Sequence, residues 1–189
     1  MRIASGEFRG RRLLGPVGAD VTRPMTDRVK IALFNILGGS LAEAVVLDLF
    51  AGTGSLGLEA LSRGARLACF AEQHRTALER LRRNIEALGV ADRCRIWGGD
   101  ILQSLPRRLA ELGEPADIAF VDPPYRLSAG WDWEEITPRL FAPLAGGLSP
   151  EGVVMLRCER NIAVPEALGP LGVRDRRDYG KMSLVFLAR

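Results

Sequence analysis

The sequence predicts an α/β fold built on a mostly parallel sheet, on the basis of three observations. An apolar segment over residues 45–49 is followed by a glycine-rich turn and a helical segment, the pattern of a strand, a tight turn and a helix. Strand-like and helix-like segments then alternate, which is typical of a parallel sheet with helices on both faces. The last two apolar segments, within residues 173–189, have no helix between them, so we expect an antiparallel strand at the end of the sheet.

The predicted elements follow one another along the chain. Residues 1–14 alternate apolar and basic side chains around two glycines, which predicts a short hairpin, and an apolar stripe predicts a helix from about Thr26 to Gly38. These elements form a predicted extension, residues 1–40, on a core of residues 41–189, and the whole chain is predicted to be one domain. Seven strands are expected, near residues 45–49, 67–71, 94–97, 117–121 and 153–156 and on either side of Gly180, with further helices over 75–88, 101–112 and 131–144.

Composition and charge limit the class of protein. No apolar run among the 189 residues approaches the ~20 needed to span a bilayer, and the first residues lack an apolar signal segment, so we expect a cytoplasmic protein without a membrane partner. One histidine and three widely spaced cysteines favour neither a histidine-based triad nor a metal site. Residues 1–30 carry seven basic and three acidic side chains, and this local excess favours contact with nucleic acid.

The glycine-rich turn is the candidate ligand-binding loop. Residues 52–57 match the G-x-G-x-x-G pattern of dinucleotide-binding loops, although a tight turn without a ligand would need glycine as well. Asp48, at the end of the preceding strand, would repel a pyrophosphate. S-adenosylmethionine (SAM) carries a sulfonium and an ammonium group and no phosphate, so an acidic loop suits it. SAM is therefore the expected cofactor, at the carboxyl end of the first strand.

Four acidic residues fall at the ends of successive predicted strands, and they are Asp48, Glu72, Asp100 and Asp122. Because the carboxyl ends of parallel strands share one edge, we expect these carboxylates to line a single cleft. Each of them taken alone could instead cap a helix or begin a turn. In the cleft, Glu72 is placed to accept hydrogen bonds from the ribose hydroxyls, and Asp100 can accept a hydrogen bond from an adenine amino group. Asp48 is expected to face the amino-acid end of the cofactor.

The sequence Asp122-Pro123-Pro124-Tyr125 is the candidate catalytic motif. Two prolines hold the backbone extended and supply no N–H, so the Pro123 carbonyl and the Asp122 carboxylate offer two acceptors at one place. Two acceptors suit an exocyclic NH2 group of a nucleobase, whose delocalised lone pair must be localised before it can attack a methyl group. Tyr125 is expected to stack on a base turned out of its helix. A rigid strand exit with a core tyrosine is the alternative interpretation.

These motifs, together with two N-terminal segments, resemble the RsmD family of ribosomal RNA guanine-N2 methyltransferases over nearly the whole chain. The matching segments are residues 2–11, 23–30, 48–60, 122–125 and 178–180. The glycine turn and the D-P-P-Y motif are shared by many methyltransferases, so the two N-terminal segments make the resemblance specific. Met25 and Lys30 depart from the family's R-P-T-T-D-R-V-R segment, and neither touches the proposed chemistry.

The resemblance implies a Rossmann-like SAM-dependent methyltransferase fold and a guanine of 16S rRNA as methyl acceptor, within the assembling or assembled small ribosomal subunit. It also implies that the segment from Thr26 to Arg28 closes over SAM or the base. With the resemblance included, the residues expected at the cofactor are Thr26, Asp48, Phe50, Ala51, Gly52, Gly54, Glu72, Gln73, Asp100 and Ile101. The arginines expected to contact RNA are Arg2, Arg9, Arg11, Arg12, Arg23 and Arg28.

Three other functions remain open on the sequence alone. A DNA adenine-N6 or cytosine-N4 methyltransferase would use the same D-P-P-Y chemistry, although this chain is short for a separate DNA-recognition domain. An NAD-dependent oxidoreductase would use the same glycine spacing, but His74 is the only candidate proton relay. A non-catalytic RNA-binding module would keep the fold without needing Asp122 and Tyr125.

Overall fold

The structure, a computed structural model, describes residues 1–16 and 25–189, and its centre is an eight-stranded sheet with helices on both faces. The strands are β1 (Val45–Leu49), β2 (Leu67–Glu72), β3 (Cys94–Gly98), β4 (Ala116–Val121), β5 (Leu148–Glu159), β6 (Ala167–Leu168), β7 (Leu171–Tyr179) and β8 (Met182–Ala188). The helices are α1 (Asp27–Ile36), α2 (Ser55–Ser62), α3 (Arg75–Leu88), α4 (Ile101–Leu112), α5 (Tyr125–Ser128), α6 (Trp133–Ile136) and α7 (Ala142–Gly147). Among the described residues, no helix has both the length and the hydropathy to cross a membrane.

The strand order, β3-β2-β1-β4-β5-β8-β7-β6, confirms the predicted class of fold. Neighbouring strands from β3 to β5 are parallel, and β8 is antiparallel to β5. The sheet has eight strands rather than the predicted seven, because β6 adds a further antiparallel pair against β7. A strand of two residues is too short to produce a period-2 pattern, so the sequence does not reveal it.

The segment predicted as one helix over residues 131–144 is divided into α6, a π-helical segment (Thr137–Phe141) and α7. Pro138 and Pro143 lie within it. A proline removes one backbone donor and clashes with the carbonyl four residues earlier, so a continuous α-helix is unfavourable here. We attribute the division of the helix to these two prolines.

The N-terminal arm, residues 1–16, folds back on itself as a short, irregular hairpin, with one antiparallel bridge between Arg2 and Arg12 and three backbone hydrogen bonds across it. Its turn packs on the end of α2, where the Glu7 N–H donates to the Ser62 carbonyl at 2.7 Å. Gly6, with φ of +82°, is required at this contact, because a Cβ there would lie 1.8 Å from the Ser62 carbonyl oxygen. The turn of the arm therefore packs on α2, and the later residues of the arm bond to α3.

Two apolar cores cover the two faces of the sheet. One contains side chains of α4, the π-helical segment and α7, such as Phe141, and the other contains side chains of α1, α2 and α3, such as Phe34 and Leu81. β1 is buried along its whole length, which accounts for its nearly continuous apolar sequence. Val46 belongs to the second core, and alternation along the strand places Asp48 on the same face, toward α2.

Glu59, on α2, is a fully buried carboxylate that joins three parts of the chain. Its Oε2 accepts from the Ala4 N–H at 2.7 Å and lies 3.1 Å from Lys30 Nζ. Its Oε1 accepts from the Ser5 N–H and from Arg63 Nε, both at 3.0 Å. One network thus holds the arm, α1 and α2 together, and Lys30, which contributes to the positive charge of the N-terminal sequence, is buried within it.

The three cysteines are free thiols. Cys69 and Cys158 are buried and Cys94 is half-buried. Burial raises the pKa of Cys69 and of Cys94 to about 12, and it also raises the pKa of Cys158. Thiols with such pKa values contain little reactive thiolate at neutral pH.

We expect Glu59→Gln to lower the free energy of unfolding by about 3–5 kcal/mol, because the variant leaves Lys30 and Arg63 buried without a carboxylate. Urea unfolding followed by circular dichroism measures this loss. The control, Glu79→Gln, removes the partner of the exposed Arg75 and should change stability by about 0.5 kcal/mol or less. Equal losses in the two variants would show that the buried network contributes no more than a surface pair.

Candidate functional site

A cleft of about 480 Å³ opens at the carboxyl ends of β1, β2, β3 and β4. It lies where the strand order reverses, with β2 and β3 on one side of β1 and β4 and β5 on the other, and doubly wound sheets bind ligands at such places. The lining residues are Pro16, Phe50, Gly52, Thr53, Ala71, Glu72, Gln73, His74, Thr76, Ala77, Arg80, Gly99, Asp100, Ile101, Leu102, Asp122, Pro124 and Leu127. Three of the four predicted strand-end carboxylates therefore meet in one cleft, and Asp48 does not line it.

The turn after β1 has left-handed backbone at three positions, with φ of +67° at Phe50, +57° at Gly52 and +86° at Gly54. Nothing lies within 4 Å of a Cβ built on Gly52, so glycine there provides the backbone angle and leaves the cleft wall open. A Cβ on Gly54 would lie 2.4 Å from the Leu81 side chain, so that glycine is needed for packing as well. Phe50 and Gly52 line the cleft, whereas Ala51 and Gly54 are buried.

Asp48 is 2% exposed and lies beneath this turn. Its Oδ2 accepts from the Gly57 N–H at 2.8 Å, which satisfies a free amide in the first turn of α2. Burial raises the pKa of Asp48 to about 7, and the hydrogen bond from Gly57 opposes this rise. The expected position of Asp48 at the cleft wall is corrected, because strand alternation turns its side chain toward α2.

Glu72 lies at the cleft wall and is held there by three backbone amides. Its Oε2 accepts from the Gly52 N–H at 2.8 Å, and its Oε1 accepts from the N–H groups of Gln73 and His74 at 2.8 and 2.7 Å. These bonds connect the turn after β1 to the turn after β2. A carboxylate accepts about four hydrogen bonds, so Glu72 keeps capacity for a ligand hydroxyl in a fixed orientation.

Asp100 lines the cleft from the start of α4, where it is the N-cap residue. Its Oδ1 accepts from the Leu102 N–H and its Oδ2 from Gln103 Nε2, both at 2.9 Å. Ile101 follows it as a buried apolar residue of the cleft wall. The helix cap thus fixes the Asp100 side chain and leaves each oxygen a further acceptor site.

Asp122 reaches the cleft from the end of β4 and forms an ion pair with Arg157 of β5. Arg157 is 2% exposed, and its Nε lies against Asp122 Oδ1. The guanidinium carbon of Arg157 lies 5.2 Å from the centroid of the Tyr125 ring, which is a cation–π arrangement. Burial raises the pKa of Asp122, and the positive charge of Arg157 opposes this rise.

The other residues of the D-P-P-Y motif differ in their exposure. Pro124 lines the cleft, Pro123 is buried, and the half-buried Tyr125 is not among the lining residues. Burial raises the pKa of Tyr125, so its hydroxyl stays protonated at neutral pH. Tyr125 packs on a cation beside Asp122, and its stacking on a nucleobase stays a prediction.

Arg157 is the main site residue that sequence reasoning did not identify. It is the one charged residue in the apolar run over 153–158. Because a charge in a buried strand needs a partner, this position could have indicated a site residue. Helical periodicity predicts α3 and shows its apolar face, but it does not show which side chains meet the cleft. Those additional lining residues are Thr76, Ala77 and Arg80.

Three of the predicted RNA-binding arginines lie together at the first turn of α1. Arg2 pairs with Asp27 in the first turn of α1 at 2.8 Å, Arg12 lies opposite Arg2, and Arg28 is exposed in the same turn. The last residues of α1 line a second cavity with Asp117, near the amino end of β4. The first turn of α1 therefore lies toward the carboxyl end of the sheet, where the cleft opens.

Arg9 and Arg11 lie toward the opposite end. The turn that contains Arg9 packs on Ser62, which ends α2 about 12 Å from the start of that helix. Arg11 Nη2 donates to the Ala87 carbonyl near the end of α3 at 2.7 Å. Arg23 lies outside the described residues, and Thr26 caps α1 without lining the cleft.

Solved structures define the class of fold. The Escherichia coli protein yhhF superposes with a TM-score of 0.80 at 34% identity, over 100% of this chain and 97% of that one. Together with the strand order and the position of the cleft, this similarity identifies the fold as the Rossmann-like methyltransferase fold.

The family is defined by sequence. The model of the family described as "Conserved hypothetical protein 95" matches residues 1–188, so the chain belongs to this family, and the predicted RsmD resemblance is confirmed. Ribosomal RNA small subunit methyltransferase D of Haemophilus influenzae is 33% identical over 172 residues, which cover 89% of this chain and 76% of that protein. The protein of the same name from Escherichia coli (strain K12) is 42% identical over 126 residues, which cover 67% of this chain and 61% of that protein.

We expect Asp48→Asn to gain stability relative to the wild type as the pH rises from 5 to 8. An unfolded aspartate ionises near pH ~3.9, whereas burial holds the folded pKa of Asp48 at about 7, so the folded protein retains a proton that the unfolded chain releases. The stabilising contribution of this group is complete below pH ~4 and is lost as the pH rises through 7. Asparagine does not titrate, so urea unfolding should show the difference moving in its favour by about 2–3 kcal/mol.

Thr53→Val is the control for this measurement, because it alters the same turn without removing a titrating group. Its stability should follow the pH dependence of the wild type. A difference between Asp48→Asn and the wild type that stays constant from pH 5 to pH 8 would contradict the raised pKa of Asp48.

Proposed function

We propose that this protein transfers a methyl group from SAM to the exocyclic N2 amine of a guanine in 16S rRNA. The observation that carries the proposal is that Asp122 of the D-P-P-Y motif and the glycine turn after β1 line the same cleft. The relatives named small subunit methyltransferase D support an rRNA substrate. The D-P-P-Y motif supports an exocyclic amine as acceptor, and the RsmD resemblance supports the guanine N2 position.

The cleft fits SAM in size and in chemistry. Its volume of about 480 Å³ is within the ~300–1,000 Å³ of small-molecule sites. Glu72 and Asp100 present anchored carboxylates that suit the hydroxyl and amino groups of a nucleoside, while Phe50 and Ile101 offer an apolar wall for its base. When bound, SAM supplies a methyl group that its sulfonium already activates.

The remaining predicted cofactor residues receive more specific roles. Gln73 lines the cleft and stays a proposed contact. Asp48, Ala51 and Gly54 are buried, so we assign them to shaping the turn rather than to touching the cofactor. Thr26 and Arg28 lie at the start of α1, and their proposed role is in closing the cleft over its ligands.

The protein's own contribution to methyl transfer is position and proton acceptance. The guanine N2 amine donates to the Asp122 carboxylate and to the Pro123 carbonyl, and its localised lone pair attacks the methyl carbon in line. As the new C–N bond forms and the carbon–sulfur bond breaks, the nitrogen becomes positively charged. Asp122 accepts the surplus proton and then passes it to water. Tyr125 holds the base in the plane that this attack requires.

The proposed rRNA-facing surface is the cleft side of the arm and of α1. We assign Arg2, Arg12 and Arg28 to it, within the proposed extension of residues 1–40, while the proposed core of residues 41–189 supplies every lining residue of the cleft except Pro16. The proposed partner is 16S rRNA within the assembling or assembled small subunit, and the proposed location is the cytoplasm, where that particle is found. A metal ion has no role in this proposal.

We expect the wild-type protein to transfer labelled methyl groups from SAM to small ribosomal subunits, with N2-methylguanosine as the product. Asp122→Asn should lower kcat by about 10²–10⁴-fold, because it removes the proton acceptor, while its Kd for SAM stays within about threefold of the wild type. Labelled-SAM transfer assays, mass mapping of the rRNA and calorimetric SAM titration measure these quantities.

Asp92→Asn is the matched control, because Asp92 is exposed in the short 3-10 turn before β3, at the amino end of the sheet and opposite the cleft, and its kcat should match the wild type. The proposal fails if duplex DNA is the better acceptor, or if the modified nucleoside is not N2-methylguanosine. Wild-type kcat in Asp122→Asn would remove Asp122 from the proposed chemistry.

We expect Arg12→Gln to weaken RNA binding for all sequences and to reduce the slope of log K against log salt by about one, because one phosphate contact is lost. Filter binding to 16S rRNA between 50 and 200 mM salt measures the slope. Arg9→Gln removes another exposed arginine, from the turn of the arm that packs on Ser62, and should leave the slope unchanged. Equal changes in the two variants would contradict the assignment of the cleft side as the RNA surface.

A further inference from the structure

We propose that Arg157 is a positioning residue for methyl transfer, which fixes the Asp122 carboxylate and the Tyr125 ring relative to each other beneath the cleft. This inference rests on the proposed function, and it assigns a role to a residue outside the D-P-P-Y motif and the glycine turn.

The register of the sheet places Arg157 beside the motif. Val121 pairs with Leu156 across the parallel strands β4 and β5, so the next residue of each strand, Asp122 and Arg157, are neighbours. Leu156 and Cys158 belong to the core on the α4 face, and strand alternation directs Arg157 to the opposite face. The backbone alone therefore brings this side chain to the strand end where Asp122 enters the cleft.

The contacts of Arg157 connect it to both functional groups of the motif. Its Nε lies against Asp122 Oδ1, and its guanidinium carbon lies 5.2 Å from the centroid of the Tyr125 ring. Asp122 is its one ion-pair partner among the residues that the structure describes, and neither its buried Nε nor its buried Nη1 has a hydrogen-bond partner of good geometry there. A buried ion pair with an unsatisfied donor is a poor source of stability, since apolar residues of similar volume often stabilise a protein more. This arrangement favours a role in orientation over a role in folding.

The charges around Asp122 explain why a cation is needed. In addition to burial, the negative charge of Asp122 contributes to raising the pKa of Asp48, on the neighbouring strand β1, and of Tyr125, on α5, so both groups lie within electrostatic reach of it. Burial raises the pKa of Asp122, and Arg157 is the cation that opposes this rise. With a neutral side chain at position 157, Asp122 would stay protonated up to a higher pH than it does in the wild type. A protonated Asp122 cannot accept the proton that the amine nitrogen loses after the new C–N bond has formed.

The test compares Arg157→Met, Arg157→Lys and the wild type. In Arg157→Met the acidic limb of the pH profile of kcat should move to higher pH, kcat at pH 7 should fall about 10–100-fold, and the Kd for SAM should stay within about threefold. Arg157→Lys keeps the charge, so its acidic limb should stay near that of the wild type. Its kcat should still fall, because an ammonium lacks the planar group that packs on Tyr125.

A second measurement does not depend on activity. The carboxyl carbon of Asp122, assigned by its absence in Asp122→Asn, is titrated by NMR in the wild type and in both variants. Arg157→Met should lower the acid dissociation constant of Asp122 about tenfold or more, whereas Arg157→Lys should change it by less than about threefold. Arg174→Met removes an exposed arginine of β7 and should match the wild type in both measurements.

An unchanged Asp122 titration in Arg157→Met, or a loss of kcat that is uniform across the pH range in both variants, would overturn the inference. If Arg157→Met does not fold, Arg157→Gln takes its place in both measurements. A wild-type protein that methylates no guanine would contradict the proposed function, and the NMR titration would still decide whether Arg157 controls Asp122.

Discussion

The Glu59 carboxylate has no contact with water, and the arrangement of the N-terminal part of the protein depends on it. Moving a carboxylate and an ammonium group out of water costs desolvation free energy. This cost is offset only when both charged groups have close partners and hydrogen bonds in the folded protein. Here two cations and two backbone N–H groups share the two oxygens of Glu59. The arm and α1 are in this way fixed to α2, the helix that begins at the glycine turn. The proposed RNA-facing surface and the proposed cofactor site therefore share one buried support.

Acidic side chains at the strand ends build the cleft as well as line it. Asp48 bonds the first turn of α2, Glu72 bonds the turns after β1 and β2, and Asp100 caps α4. Each of these bonds fixes a backbone segment whose amides would otherwise lack partners. The oxygens of Glu72 and Asp100 that face the cleft are consequently held in place before any ligand arrives. Such preorganisation lowers the entropic cost of binding, because the side chains have little freedom left to lose.

Most of the fold could be predicted, because its elements have strong periodic patterns. The meeting of Glu72, Asp100 and Asp122 could also be predicted, since it requires only that parallel strands share an edge. The direction of the Asp48 side chain could not, because the apolar run of β1 is buried on both faces and lacks the alternation that would assign each residue to a face. The pairing of Asp122 with Arg157 depends on the register between two strands that are far apart in sequence. Arg2, Arg12 and Arg28 are separated from Arg9 and Arg11 by the way the arm packs on α2. This packing cannot be predicted from the composition of the segment.

The buried thiols have a practical consequence for following the arm in solution. All three native cysteines have raised pKa values, so a thiol-reactive dye at neutral pH will react slowly with them. A single cysteine introduced at an exposed position of α1 such as Ile31 would then be the dominant labelling site without replacement of the native ones. Fluorescence from that site would test whether α1 stays fixed to α2 when SAM or RNA is added to an otherwise unaltered protein.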